Sequence, residues 1–417
     1  MSQTEVQLIK ADAVQTADIA NSAVTDAKIS GLTSSKLTWA LPAISGASLT
    51  NLPASGKAKN LVINGAMTVA QRGTSSTTAT AGYHTVDRFK YAIGGHDEVA
   101  THAQVDVASG TSPYQSGFRK AYKITNGNQT SGAGSSDYIQ IDYYVEAQDI
   151  ANSGWDVTNS SSNLTISFWI KSSVSQFFTF AIRCKDGTEQ VINFKTPVLS
   201  ADTWTKVTKT IPGNSNLTVN NDNGQGFQIM FFPFIGTDYT TVGLAEDTWS
   251  AWASAKHAVP NTSTWWTTND ATWEITGLQL EVGDSATDFE HLTFAENLRK
   301  CQRYLFRLGN NSPYPLTLVN GLASSSTNVK TMIPYPQEMR ATPTFTYNSI
   351  TIDDDVASYA SNRISGFNST VGGTDRGQIN FSVSGTSGGR FARIQCTQAG
   401  GYIQGDAELW LLQLHNI

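Results

Sequence analysis

From residue 57 to about residue 290 the chain alternates apolar and polar residues in short runs closed by turn residues. The clearest run is Leu164–Ile170. Leu164, Ile166, Phe168 and Ile170 fall on one side, with Thr165, Ser167 and Trp169 between them. A period of two marks a half-buried strand. The same reading covers Leu61–Ile63 before Asn64-Gly65, the residues Val86, Phe89, Tyr91 and Ile93 before Gly94-Gly95, Arg119–Ile124 before Asn126-Gly127, and Tyr138–Tyr143. Phe178–Cys184 and Gln190–Phe194, joined through Asp186-Gly187, predict a hairpin, and Trp204–Ile211 and Phe227–Ile235 follow. Strands at this spacing predict an antiparallel sandwich or jelly roll, not a parallel α/β sheet.

The pattern changes after Trp273. Trp273, Ile275, Leu278 and Leu280 alternate with Glu274, Thr276, Gln279 and Glu281, and Gly277 shifts the phase, which predicts a bulge. Beyond Gly283-Asp284-Ser285, the residues Phe294, Leu298, Cys301, Tyr304 and Leu305 recur at three- and four-residue steps. Glu296 comes early and Arg299, Lys300 and Arg303 late, the order a helix dipole favours. A strand thus closes one domain and a helix of about three turns opens the next. Alternation then returns. Phe345, Tyr347, Ile350 and Ile352 read as one strand, followed by Ile379–Val383. Ala392, Ile394 and Cys396 follow the turn Ser387-Gly388-Gly389, and Asp406–Leu414 reads as a closing strand with Ala407, Leu409 and Leu411 on one face. Pro343 suits the first residues of a strand, where a missing donor costs little.

Residues 1–56 obey another rule. Ala13-Val14, Ala17 and Ile19 recur ten residues on as Ala23-Val24, Ala27 and Ile29. Val14, Ile19, Val24 and Ile29 are thus five residues apart. In a helix that step leaves successive side chains about 140° apart. In a strand it puts them on opposite faces. No regular element of one chain buries them all, whereas identical chains around a common axis would. The expected fold is therefore mainly β: an N-terminal stalk or attachment segment (1–56), a jelly-roll β-sandwich (57–290), then a short linking helix and a C-terminal β-sandwich (291–417).

At 417 residues the chain can hold two or three cores. Only 15% of residues are charged, and 10 Trp, 14 Tyr and 18 Phe favour strands. A net charge of −6 argues against nucleic acid as the main partner. Cys184, Cys301 and Cys396 are far apart and odd in number, so neither a disulfide framework nor a metal site is expected; Cys301 and Cys396 read as small core residues. The first residues lack a signal-peptide pattern and no run of 18 apolar residues occurs, so cytoplasmic synthesis without membrane insertion is expected. The six histidines are scattered, and HExxH, GxSxG and GxxxxGK[ST] are missing from the sequence. Asp353-Asp354-Asp355 reads as a solvated turn, Asp97-Glu98 as surface charge and Asp87-Arg88 as a structural pair. No catalytic residue, metal or cofactor is expected.

Several stretches carry a resemblance. GLQLEVGDSATDFEH (277–291) followed by LRKCQRYL (298–305) resembles bacteriophage tail-fibre and related virion proteins. NLVINGAMTVAQRG (60–73) and YHTVDRF (83–89) resemble the start of the carbohydrate-binding-like jelly roll of the same family. IPYPQEMRATPTFT (333–346) resembles its C-terminal module, while AVTDAKISGL (23–32) and LPAISGASLTNLPA (41–54) resemble stalk sequence. The resemblance implies a homotrimeric virion protein that meets other virion proteins through residues 1–56 and contacts a host surface glycan. A capsid-decorating fibre and a depolymerising tailspike are the alternatives. A tailspike would usually show a long parallel β-helix with regular coils, and the turns here are irregular.

For glycan contact the richest stretch is 249–273, with Trp249, Trp252, Trp265, Trp266 and Trp273. Flat rings suit the apolar C–H faces of sugars, and amides suit their hydroxyls. Trp249, Trp252, Asn261, Trp265, Trp266 and Asn269 are the candidate ligand residues, with Asp270 beside them, while the alternation assigns Trp273 to the core. Read as strand neighbours, Trp265 and Trp266 face opposite ways, so at most one points inward. A second candidate is a C-terminal tip around Tyr359, Asn362, Phe367 and Asn368.

Overall fold

The alternating runs become two face-to-face sheets. The computed structural model describes residues 60–310, 316–353, 364–386, 388–396 and 399–408. All belong to one unit, Gly56–Ile417. The stalk repeat, the tip residues Tyr359 and Asn362, and the Leu409–Leu414 part of the closing strand lie outside the described residues.

The first sandwich is built from β1 (Ser75–Ser76), β2 (Phe89–Gly94), β3 (Thr101–Asp106), β4 (Lys120–Thr125), β5 (Tyr138–Glu146), β6 (Asn163–Ser172), β7 (Thr179–Cys184), β8 (Gln190–Lys195), β9 (Thr205–Pro212), β10 (Gln225–Ile235), β11 (Trp249–Ala251) and β12 (Thr272–Val282). Sheet one has the order β1-β3-β4-β12-β6-β9 and sheet two β11-β8-β7-β10-β5-β2, with antiparallel pairing throughout. Jumps in strand order within both sheets are those of a jelly roll. Leu164, Ile166, Phe168 and Ile170 point inward from β6, and Phe168 lies 5.1 Å from Phe180 and 5.2 Å from Phe231 of the opposite sheet. Gly277 takes φ +66° at the expected bulge, where the β12–β6 register shifts between Thr276 and Gln279.

The second sandwich contains β13 (Leu305–Asn310), β14 (Leu316–Ser325), β15 (Asn328–Pro334), β16 (Thr344–Asn348), β17 (Ile350–Asp353), β18 (Ile364–Gly372), β19 (Arg376–Val383), β20 (Arg390–Cys396) and β21 (Gly401–Asp406). A three-stranded sheet, β13-β21-β16, packs on a six-stranded one, β17-β20-β14-β15-β19-β18. Phe306, Phe345 and Ile403 of the small sheet share one core with Ile379, Phe381 and Ile394 of the large one.

Four local expectations are corrected. Leu61–Ile63 is a turn: Asn60 Oδ1 accepts from Val62 N (2.9 Å) and Leu280 N (3.0 Å), and Asn64 takes φ +62°. The linking helix, Phe294–Cys301, is shorter than its pattern, because Tyr304 turns toward Glu146 and Leu305 begins β13. Its first turn carries the capping box Thr293–Glu296, and Phe294 is 60% exposed. Phe345 and Tyr347 are separated from Ile350 and Ile352 by Ser349 at φ +49°, which sends the two pairs into different sheets. The last described strand ends, and does not begin, at Asp406.

Buried charges join the two sandwiches. Arg88, at φ +77°, donates to Glu408 (2.7 Å) and to the Tyr144 carbonyl (2.5 Å), and its guanidinium lies 3.4 Å from the Tyr304 ring centre. Arg72 donates to Asp406 (2.6 Å) and Glu408 (3.1 Å). Arg303 meets Glu146 with two bonds of 2.8 Å, and the Tyr304 hydroxyl donates to the same carboxylate. Asp87 accepts from Gln71 N (2.8 Å) and Nε2 (2.5 Å), and Gln71 Nε2 also reaches the Leu305 carbonyl (2.9 Å). Burial pushes the Asp87 carboxyl up to about 6 despite nearby Arg72. Burial also works against the charge of Glu146, but its bonds from Arg303 and Tyr304 outweigh it and hold that carboxyl low. The Asp87-Arg88 pair is structural, as its sequence setting implies.

Candidate functional site

The aromatic-rich stretch splits into a buried half and a half-exposed half. Thr264–Thr267 is a short helix, not a strand, so the strand argument about neighbouring side chains does not apply. Helical neighbours stand about 100° apart and can both reach one core. Trp265 and Trp266 are fully buried. Their indole N–H groups donate to the carbonyls of Thr272 (3.0 Å) and Gly132 (2.8 Å), and Trp266 stacks on Phe234 at 4.9 Å. Asn126 Nδ2 ties down the carbonyls of both (3.3 and 2.7 Å). Trp249 is also buried, its Nε1 donating to the Pro212 carbonyl at 2.8 Å, and Trp273 lies in the core as its alternation implies. The expectation that Trp249, Trp265 and Trp266 present rings to a sugar is therefore corrected: these rings complete the core.

Trp252 is different. The segment between β10 and β12 folds back over the outer face of sheet two, burying Ala258 against Ala181, Val191, Met230, Phe232 and Ile235. Trp252 is half-buried there, with the Arg183 guanidinium 3.6 Å from its ring centre. Glu189 fixes Arg183 from the side (Nε–Oε2 2.9 Å), and its backbone carbonyl accepts from Trp252 N at 2.9 Å. From Trp252 a run of edge-on ring contacts leads across the face: His257 at 4.3 Å, then Tyr239 at 5.6 Å, then Tyr138 at 5.6 Å. All four rings are half-exposed. Tyr138 is there because β5 alternates: Ile139 and Ile141 face the core, so Tyr138 and Gln140 face outward. Burial raises the Tyr138 and Tyr239 phenols, so both remain protonated and can donate as well as accept.

Beside this run, sheet two turns a polar row outward. Lys90 Nζ, Asp142 Oδ2, Gln228 Oε1 and both amide atoms of Asn193 are buried without a hydrogen-bond partner among the described residues, with Lys90 in the field of Asp142. Unpaired buried polar atoms cost about 1–3 kcal/mol each, so the row holds unused hydrogen-bonding capacity behind the accessible rings. The half-buried Asn261 likewise has both amide atoms without a hydrogen-bond partner among the described residues. Asn269 and Asp270 are exposed in a turn, Asp270 at φ +56°. Among the described residues no group of three His, Cys, Asp or Glu side chains comes together to hold a metal. Tyr138, Tyr239 and His257 were not among the sequence candidates; the outward phase of Tyr138 in β5 was the one available signal.

No family model and no curated protein matches the chain. Among solved structures it is similar to the enzymatically active domain of tailspike protein 4 of bacteriophage CBA120, at 9% identity and TM-score 0.29, covering 54% of this chain and 21% of that one. It is also similar to the N-terminal cellulose-binding domain of β-1,4-glucanase C from Cellulomonas fimi, at 10% identity and TM-score 0.25, covering 52% and 100%. A third is the N-terminal CBM22-1-CBM22-2 tandem domain of Xyn10C from Paenibacillus barcinonensis, at 10% identity and TM-score 0.23, covering 81% and 97%. Superpositions this loose carry no argument about ligand or role.

Proposed function

We propose that the chain is a bacteriophage tail-fibre subunit that binds a host surface polysaccharide without cleaving it. The observation that carries the binding is the run Trp252–His257–Tyr239–Tyr138. Successive half-exposed rings, flanked by Gln140 and two phenol hydroxyls, match a linear ligand with alternating C–H faces and hydroxyls. The fibre role rests on the sequence resemblance. In this reading residues 1–56 bind the virion and hold a homotrimer, 57–290 bind the glycan, and 291–417 form the outer module.

The test uses the full chain and polysaccharide extracted from candidate hosts. Trp252→Ala is expected to weaken binding by roughly tenfold or more, a loss of about 1.4 kcal/mol, with little change in thermal unfolding. A steady release of reducing sugar ends would move the protein to the enzymes. Immunogold label on the capsid and not on the tail would replace the tail fibre with a capsid fibre.

A further inference from the structure

The outer face of sheet one carries a pocket of its own. β6 alternates, so Ser167 and Trp169 point away from the core that holds Ile166 and Phe168. Across the strands Trp169 pairs with Thr276 of β12 and Lys206 of β9. Beside it three rings close on one another: Phe118 and Phe289 at 4.8 Å, Phe118 and His291 at 5.0 Å, Phe289 and His291 at 4.9 Å. Two glycines make room for them. A Cβ on Gly277, at the bulge, would stand 2.6 Å from Phe118, and one on Gly117 would stand 2.8 Å from the His291 ring. His291 Nε2 also sits 2.9 Å from the Ser116 carbonyl.

Phe118, Phe289 and His291 line, together with Trp169, a cavity of about 460 Å³. That is within the range of about 300–1,000 Å³ typical of small-molecule sites. It is lined by the rings of Phe118, Trp169 and Phe289 and by the polar side chains of Gln115, Lys206 and Asp288. The lining thus sets an amide, a cation and an anion beside aromatic rings. Mixed donors and acceptors of both signs over a flat indole fit an uncharged polyol ring better than a fixed anion or cation.

We infer that this pocket is a second sugar site, which takes a single neutral pyranose unit or the end of a chain against Trp169. It extends the glycan-binding reading to the opposite face of the sandwich, and the test separates the two. A chain with sites on both outer faces engages two points of a polymer or two polymer strands, and gains avidity from linkage alone.

The full-length protein, labelled with 5-fluorotryptophan, is titrated with the methyl glycosides of glucose, galactose, mannose and N-acetylglucosamine while fluorine NMR is recorded. Trp169→Phe and Trp252→Phe assign the two signals. The Trp169 signal is expected to shift with at least one glycoside, Lys206→Ala to weaken that titration roughly tenfold, and Trp252→Ala to leave it unchanged. A Trp169 signal unmoved by all four glycosides, or a titration unaffected by Lys206→Ala, overturns the second site. If only the Trp252 signal moves, the second site falls and the ring run stands. If only the Trp169 signal moves, the reverse holds.

Discussion

The two sandwiches treat their outer faces differently. In the first, long connections fold back and cover them: the segment after β10 lays Tyr239, Trp252 and Ala258 on sheet two, and the stretches around Phe118 and Phe289 pack on sheet one. In the second, β14 and β15 are joined through only residues 326–327, and β18 and β19 through 373–375. Turns that short have no chain to spare. The outer face of the six-stranded sheet accordingly leaves Leu322 49%, Met332 56%, Val371 65% and Phe391 83% exposed. Whether a connection folds back over it, more than strand composition, separates a covered sheet face from an open one.

The largest effect that would sharpen this contrast is expected at the covered end. Trp266→Ala removes a ring stacked on Phe234 and should cost about 3–5 kcal/mol in urea unfolding. A loss below about 1 kcal/mol would mean that the segment over the first sandwich is not part of its core.

A second effect reads the junction between the sandwiches. Asp87 has a folded value of about 6, against roughly 3.9 in an unfolded chain. Between those values the folded chain holds the extra proton, so this group adds stability as pH falls from about 6 towards 4 and withdraws it as pH rises, by on the order of 2–3 kcal/mol. Glu146, held low, acts in the opposite sense and in a lower window, losing its contribution only as pH falls through its own depressed value. Asp87→Asn should flatten the upper window alone. An unchanged stability profile between about pH 4 and 6 would show that Asp87 titrates normally.

The smallest effect is expected on the open face. Phe391→Ser should change stability by less than about 0.5 kcal/mol, since little packing is lost. A drop of several kcal/mol in the full-length protein would mean that something covers this face in solution and that the contrast drawn above is wrong.

Strands were legible because alternation records a face, and even the Gly277 bulge showed as a break in phase. The break at Ser349 was not, since a serine at positive φ has no sequence mark. The candidate site was half legible. Clustered tryptophans do mark the segment that closes over sheet two, but Trp265-Trp266 adopts a four-residue helix held by Gln176 and Asn126, contacts made by distant parts of the chain. Trp252, Tyr239 and Tyr138 converge only once β5, β10 and the covering segment are in place.

Arg88 and Glu408 are 320 positions apart, yet they meet in a buried setting, where Glu408 also takes Arg72. During synthesis the guanidinium therefore has no Glu408 to meet until the ribosome has passed codon 408. A buried charge missing its partner is worth about 3–5 kcal/mol of destabilisation, a large share of a domain's total. An aborted or clipped product that stops short of Glu408 would leave Arg88 without this counter-charge, in a first sandwich open to proteolysis. The pair thus makes the stability of the first sandwich depend on a residue 320 positions further along the chain.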